Sequence, residues 1–146
     1  MWNKIIIPFI ASVYIPFARC SFFLVYFWFG ILKILDTSAA NPLVAALLEK
    51  TLPFLTFQQF IVYFALFEML IGILFLIPRL TRLVYVLFIL HMGMTMMPLV
   101  LLPAYAWQGF LTPTLEGQYM LKNLILIALA SAILVSTQKK TGKKAT

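Results

Sequence analysis

FQQFIVYFALFEMLIGILFLI (57–77), PRLTR (78–82) and LVYVLFILHMGMTMMPLVLL (83–102) follow one another without a gap. Two apolar runs of 21 and 20 residues thus flank a five-residue connection that opens with Pro78 and carries Arg79 and Arg82. A helix needs about 20 largely apolar residues to cross the hydrocarbon core of a bilayer. Each run is therefore long enough to span, and the short basic connection makes the two helices antiparallel neighbours. Glu68 lies nine residues before the end of the first run and His91 eight residues after the start of the second. At about 1.5 Å per residue both sit roughly 12–14 Å deep and can face each other.

Outward from this hairpin, two further runs complete the pattern. One extends from Ala18 to Leu35 with Arg19 and Lys33 near its ends, and the other from Tyr119 to Val135. Residues 104–118, with Trp107, Gly109, Pro113 and Gly117, read as an interfacial loop with turn signals. The opening, Met1 to Phe17, is punctuated by Pro8 and Pro16 and lacks a small-x-small cleavage pattern. It reads as interfacial or as an extension of the first span. Composition agrees with this layout: 64% of the 146 residues are hydrophobic and 10% are charged. A soluble domain has about 45–50% apolar and 25% charged residues, and a chain this small could not hide the excess inside itself. The fold class expected is an all-α integral membrane four-helix bundle forming a single domain, with residues 137–146 as a basic tail.

Charge sets the expected orientation. With four spans, the N-terminal segment, the 78–82 connection and the C-terminal tail share one side. That side holds Lys4, Arg19, Arg79, Arg82, Lys139, Lys140, Lys143 and Lys144, eight of the eleven basic residues. Lys33, Lys50 and Lys122 fall on the other side, offset by Asp36, Glu49 and Glu116. The positive-inside rule then places both termini in the cytoplasm. The net charge of +7 is spent at the ends of apolar runs, which suits anionic lipid headgroups. It forms no basic face, so no nucleic acid is expected as a partner.

Ionisable groups at membrane depth are expensive and need a partner or a purpose. Glu68 and His91 are the candidate catalytic pair, for proton handling or ligand binding; the alternative is a buried polar pair that only glues two helices. A second cluster comprises Lys33, Asp36, Glu116, Lys122 and Asn123, the candidate ligand-binding residues. Lys33 and Asp36 share a face if the first helix continues past them. Lys122 and Asn123 sit just inside the fourth run, where snorkelling and capping compete with contact to an anionic or carbonyl-bearing headgroup. The run His91-Met92-Gly93-Met94-Thr95-Met96-Met97 has copper-like donors, but on a helix only His91 and Met94 share a face closely, so no metal is expected. The single cysteine, Cys20, excludes an intramolecular disulfide and C-x-x-C chemistry; a small buried thiol is its expected state.

Three segments carry a family resemblance: Trp28-Phe29-Gly30-Ile31-Leu32-Lys33, Phe67-Glu68-Met69-Leu70-Ile71-Gly72, and Thr112-Pro113-Thr114-Leu115-Glu116-Gly117-Gln118-Tyr119-Met120-Leu121-Lys122-Asn123. Through them the chain resembles the DoxX-like membrane proteins over nearly all of its four spans. The resemblance implies a four-helix integral membrane protein, and for some relatives a subunit of a quinone-linked redox complex. It reaches Gly30, Lys33, Glu68, Gly72, Glu116, Gly117, Lys122 and Asn123, but not His91. The expected function is a membrane subunit of a quinone-linked redox system, binding a quinone or similar lipid-soluble molecule within the bundle. The alternative is a non-enzymatic scaffold or small-solute permeation protein. Expected partners are membrane lipids and a further protein subunit or second copies of the chain. The expected location is the bacterial cytoplasmic (inner) membrane, crossed several times.

Overall fold

The computed structural model describes residues 5–142, with side chains described up to residue 138. Lys4, Lys143 and Lys144, and the side chains of Lys139 and Lys140, therefore lie outside the described residues.

The first helix, α1, runs over Ile7–Ile34, much longer than the 18–35 span read from hydropathy. Pro8 occupies its first turn, where a missing N–H costs nothing. Pro16 lies inside the helix rather than ending it, as proline often does in apolar helices. At its other end α1 stops abruptly. Asp36 takes a left-handed φ of 54°, and its N–H reaches the Lys33 carbonyl while that of Thr37 reaches Leu32. This crossed pair of bonds is a Schellman motif. The helix therefore ends at Ile34, before Asp36, and Lys33 and Asp36 do not share a helix face.

A short helix, α2 (Asn41–Thr51), fills a connection that hydropathy leaves blank. Then come α3 (Phe57–Phe75), a 3₁₀ turn (Pro78–Leu80) and α4 (Thr81–Met96). Beyond α4, Pro98 and Pro103 each restart the backbone, leaving two single turns, α5 (Pro98–Leu101) and α6 (Pro103–Ala106). Instead of an irregular loop, residues 104–118 hold the end of α6, a two-stranded antiparallel hairpin (β1 Trp107–Gly109, β2 Thr112–Pro113) and the start of α7 (Leu115–Gly142). Thr114 fixes that start. Its hydroxyl accepts from the Gly117 N–H at 3.0 Å and donates to the Tyr105 carbonyl at 2.6 Å, satisfying an orphan donor of the first turn. Gly117 lies so close to the Ala106 carbonyl that a Cβ would collide with it.

Among the described residues, four helices are long and apolar enough to cross a membrane. They pack as antiparallel neighbours around one core. The α1–α3 contact is backbone to backbone: a Cβ on Gly30 would meet the Ala65 carbonyl oxygen at 2.8 Å, and one on Gly72 the Phe23 carbonyl oxygen at 3.2 Å. Small residues at such crossings let apolar helices approach closely. Phe22 stacks on Phe75 with ring centres 4.1 Å apart, and Phe88 stands edge-on to both. The outward faces are apolar as well. At most 28% of the most hydropathic window of any span is buried inside the protein, an exposed apolar area far beyond that of soluble monomers.

Candidate functional site

Lys33 ends α1, Glu68 lies mid-way along α3 and His91 lies toward the end of α4; all three are buried. The short connection between α3 and α4 sets the Glu68–His91 register, and the close α1–α3 crossing brings Lys33 to the same level. His91 Nε2 is 3.0 Å from Glu68 Oε1, and Lys33 Nζ is 2.7 Å from Glu68 Oε2. The chain of polar groups extends one residue further. The Tyr26 hydroxyl, also buried, lies 3.3 Å from His91 Nδ1 and 4.0 Å from the Met92 sulfur. Phe64 stacks on the imidazole at 5.2 Å and also lies beneath the Lys33 ammonium. Lys33, Glu68, His91 and Tyr26 thus form one line of polar groups in an aromatic cage.

A carboxylate only accepts, so the imidazole donates to Glu68 through Nε2. In the neutral ring Nδ1 then accepts the Tyr26 O–H; in the charged ring Nδ1–H donates to the Tyr26 oxygen, whose own proton can turn to the Met92 sulfur. Tyr26 therefore has a partner in both protonation states of His91. Glu68 is satisfied less completely. Lys33 holds Oε2 in a 2.7 Å ion pair, and no further donor reaches that oxygen among the described residues. A carboxylate oxygen can accept two bonds, so a second donor on Oε2 needs only a route to it.

Two cavities supply one. Both have Lys33, Glu68, Ala40 and Thr95 in their walls. The smaller, about 360 Å³, is an apolar slot beneath α2, walled by Leu43, Leu47, Phe60 and Met94 among others. The larger, about 560 Å³, adds Tyr26, His91, Ser38, Glu116, Lys122 and Asn123. Six of the seven residues singled out from the sequence (Lys33, Glu68, His91, Glu116, Lys122 and Asn123) therefore line this one cavity. Asp36 does not. It is exposed at the α1 terminus and accepts a 2.7 Å hydrogen bond from the Asn41 side chain. Glu116 and Lys122 are exposed near the cavity mouth, the Lys122 ammonium 4.5 Å above the Tyr119 ring.

Sequence reasoning misses Tyr26, one of 23 aromatic residues and not ionised near neutrality; its four-residue step from Phe22 toward Gly30 on the buried face of α1 is the available signal. It also misplaces Arg19 as a boundary charge. Arg19 is buried within the bundle, donating to the Phe75 carbonyl at 2.8 Å and to the hydroxyls of Thr81 and Thr137 at 2.6 and 3.0 Å. One guanidinium thus ties α1 to α3, α4 and α7. Cys20, its neighbour, is exposed rather than buried, because it points to the outer face of α1. The described residues contain no group of three or more His, Cys, Asp or Glu that could hold a metal ion.

No protein-family model, curated protein or solved structure matches this chain.

Proposed function

We propose that this chain is a four-span protein of the bacterial inner membrane, with both termini cytoplasmic, that binds a quinone or similar lipid-soluble molecule beside Glu68. It would serve as a membrane subunit of a quinone-linked redox system, as its resemblance to the DoxX-like proteins implies. The supporting observation is Glu68 Oε2: a buried carboxylate oxygen held only by the Lys33 ammonium among the described residues, in the wall of two cavities. A ligand hydroxyl would complete it, and the Lys33 ammonium and the Asn123 amide supply donors for a carbonyl. The apolar walls suit the ring and chain of such a molecule. When bound, a quinone supplies paired electron and proton transfer. The protein's share is the proton: Glu68 would exchange it with the ligand hydroxyl at Oε2, and a charged His91 would hand its Nε2 proton to Oε1 and keep its Nδ1–H on the Tyr26 oxygen. Electrons come from a partner subunit. Orientation rests on the basic residues at the end of the bundle that carries the Pro78–Leu80 turn.

Binding of a short-chain quinone and of its quinol to the purified protein in lipid nanodiscs tests this reading. The quinol is expected to bind more tightly, and Glu68→Gln or Lys122→Met to weaken it at least tenfold in a folded bundle. Absence of binding by either form would remove the proposal. Topology is checked separately: cysteine at Thr141 should react only from the cytoplasm, and cysteine at Ala46 or Thr112 only from outside.

A further inference from the structure

We propose that the Lys33–Glu68–His91–Tyr26 line exchanges protons and polar solutes through one end of the bundle only, the end bearing α2 and the hairpin. Three layers along the bundle carry this. The larger cavity reaches from Glu68 and His91 to Ser38, beyond the end of α1, and to Glu116 in the first turn of α7. That end is therefore the mouth. Below the line, Phe22, Phe75 and Phe88 stack against one another and are at most 2% exposed, with Val84, Ile71 and Ile133 as fully buried companions. Phe75 lies seven residues past Glu68, so the apolar layer begins within roughly 10 Å of the carboxylate. Beneath it the Arg19 guanidinium, bonded to Phe75, Thr81 and Thr137, adds a fixed positive charge that repels protons and cations. A proton leaving Glu68 toward the termini would cross a dry aromatic layer and then meet a cation.

The groups facing Glu68 and His91 agree with a one-sided route. They are Lys33 and Tyr26 from α1, and, across the larger cavity, Glu116, Tyr119 and Lys122 from α7; α2 gives the smaller cavity only apolar side chains and Thr51. Every titratable group facing the pair is thus on the pair's own level or toward the mouth. With the orientation proposed above, the site takes up and releases protons on the outer face of the membrane. A small-solute path along the bundle would have to open the aromatic layer.

The purpose assigned to this access rests on the proton-exchange reading of Glu68, but the access itself is measured without ligand. In vesicles carrying Cys20→Ser, cysteine is placed at Thr95, which lines both cavities, or at His91. Each is exposed to a charged, membrane-impermeant methanethiosulfonate from either side. A reporter cysteine at Ala46 marks the α2 side independently of any assumed topology. Reaction at least tenfold faster from the α2 side is expected at both positions. Comparable rates from the two sides, a faster rate from the terminal side, or no reaction from either would overturn the inference. Phe22→Ala should then raise the terminal-side rate at least fivefold, and Phe88→Leu serves if that variant does not fold. Loss of quinone binding with one-sided labelling intact would sink the functional reading alone.

Discussion

Arg19 and Lys33 lie fourteen residues apart on the same helix, equally buried at 5% exposure, and the bundle treats them in opposite ways. Arg19 spreads its donors over one carbonyl and two hydroxyls in a closed, aromatic-capped layer. The Phe75 carbonyl belongs to the last turn of α3, where a helix welcomes positive charge. A planar fork with fixed donors suits this fastening. Lys33 has one carboxylate, leaves that carboxylate incompletely bonded, and borders two cavities. The contrast separates two settings for a buried charge: Arg19 is shared among three other helices in a closed layer, whereas Lys33 pairs with one carboxylate in the wall of two cavities.

The sharpest way to break this contrast is to remove the fastening. Arg19→Met leaves Thr81, Thr137 and the Phe75 carbonyl without their donor, and should destabilise the bundle by about 3 kcal/mol. Unfolding in mixed detergent micelles measures the loss. Quinone affinity of the folded fraction should change less than twofold. A tenfold loss of affinity would show that the two clusters act as one.

Lys33→Met comes next. It leaves the buried Glu68 carboxylate with His91 as its remaining partner, and its expected cost is about 2 kcal/mol, below that of a broken buried ion pair because that partner stays. Adding Glu68→Leu should return stability to within about 1 kcal/mol of the parent, since two apolar groups replace a costly pair. Binding should stay lost in the double variant. The two changes would then be strongly non-additive for stability, and simple additivity would show that Lys33 and Glu68 do not interact.

How much of this is legible in the sequence depends on range. The four apolar helices are readable because each is a local property of about 20 residues. The Glu68–His91 contact is readable too, because a five-residue connection leaves little freedom of register. Lys33 stands out in the sequence, but its place on Glu68 does not, since the α1–α3 register is set by Gly30 and Gly72 across 22 residues of loops and α2. Asp36 groups with Lys33 only on the premise of a continuing helix; the left-handed turn at Asp36 separates them. Arg19 looks like a boundary charge because hydropathy starts the first span at Ala18, whereas the helix starts at Ile7 and carries Arg19 into the bundle.

The smallest expected effect sharpens the contrast most, because it touches only the capacity to switch. Tyr26→Phe removes one oxygen from a packed ring, so the aromatic contacts with Phe22 and Phe88 survive, and stability should fall by about 1 kcal/mol or less. What is lost is the partner of His91 Nδ1 in both protonation states. The two losses are unequal: the charged ring gives up a charge-assisted hydrogen bond, roughly twice as strong as the neutral one. If the Tyr26 hydroxyl holds His91 in place for ligand exchange, Tyr26→Phe should lower quinol affinity by about threefold. His91→Gln should lower it further, and Glu68→Gln should lower it most. A Tyr26→Phe affinity equal to the parent's would mean that the hydroxyl is as structural as the hydroxyls around Arg19. Proton handling would then end at Glu68 and His91, and the two buried clusters would differ only in the space beside them.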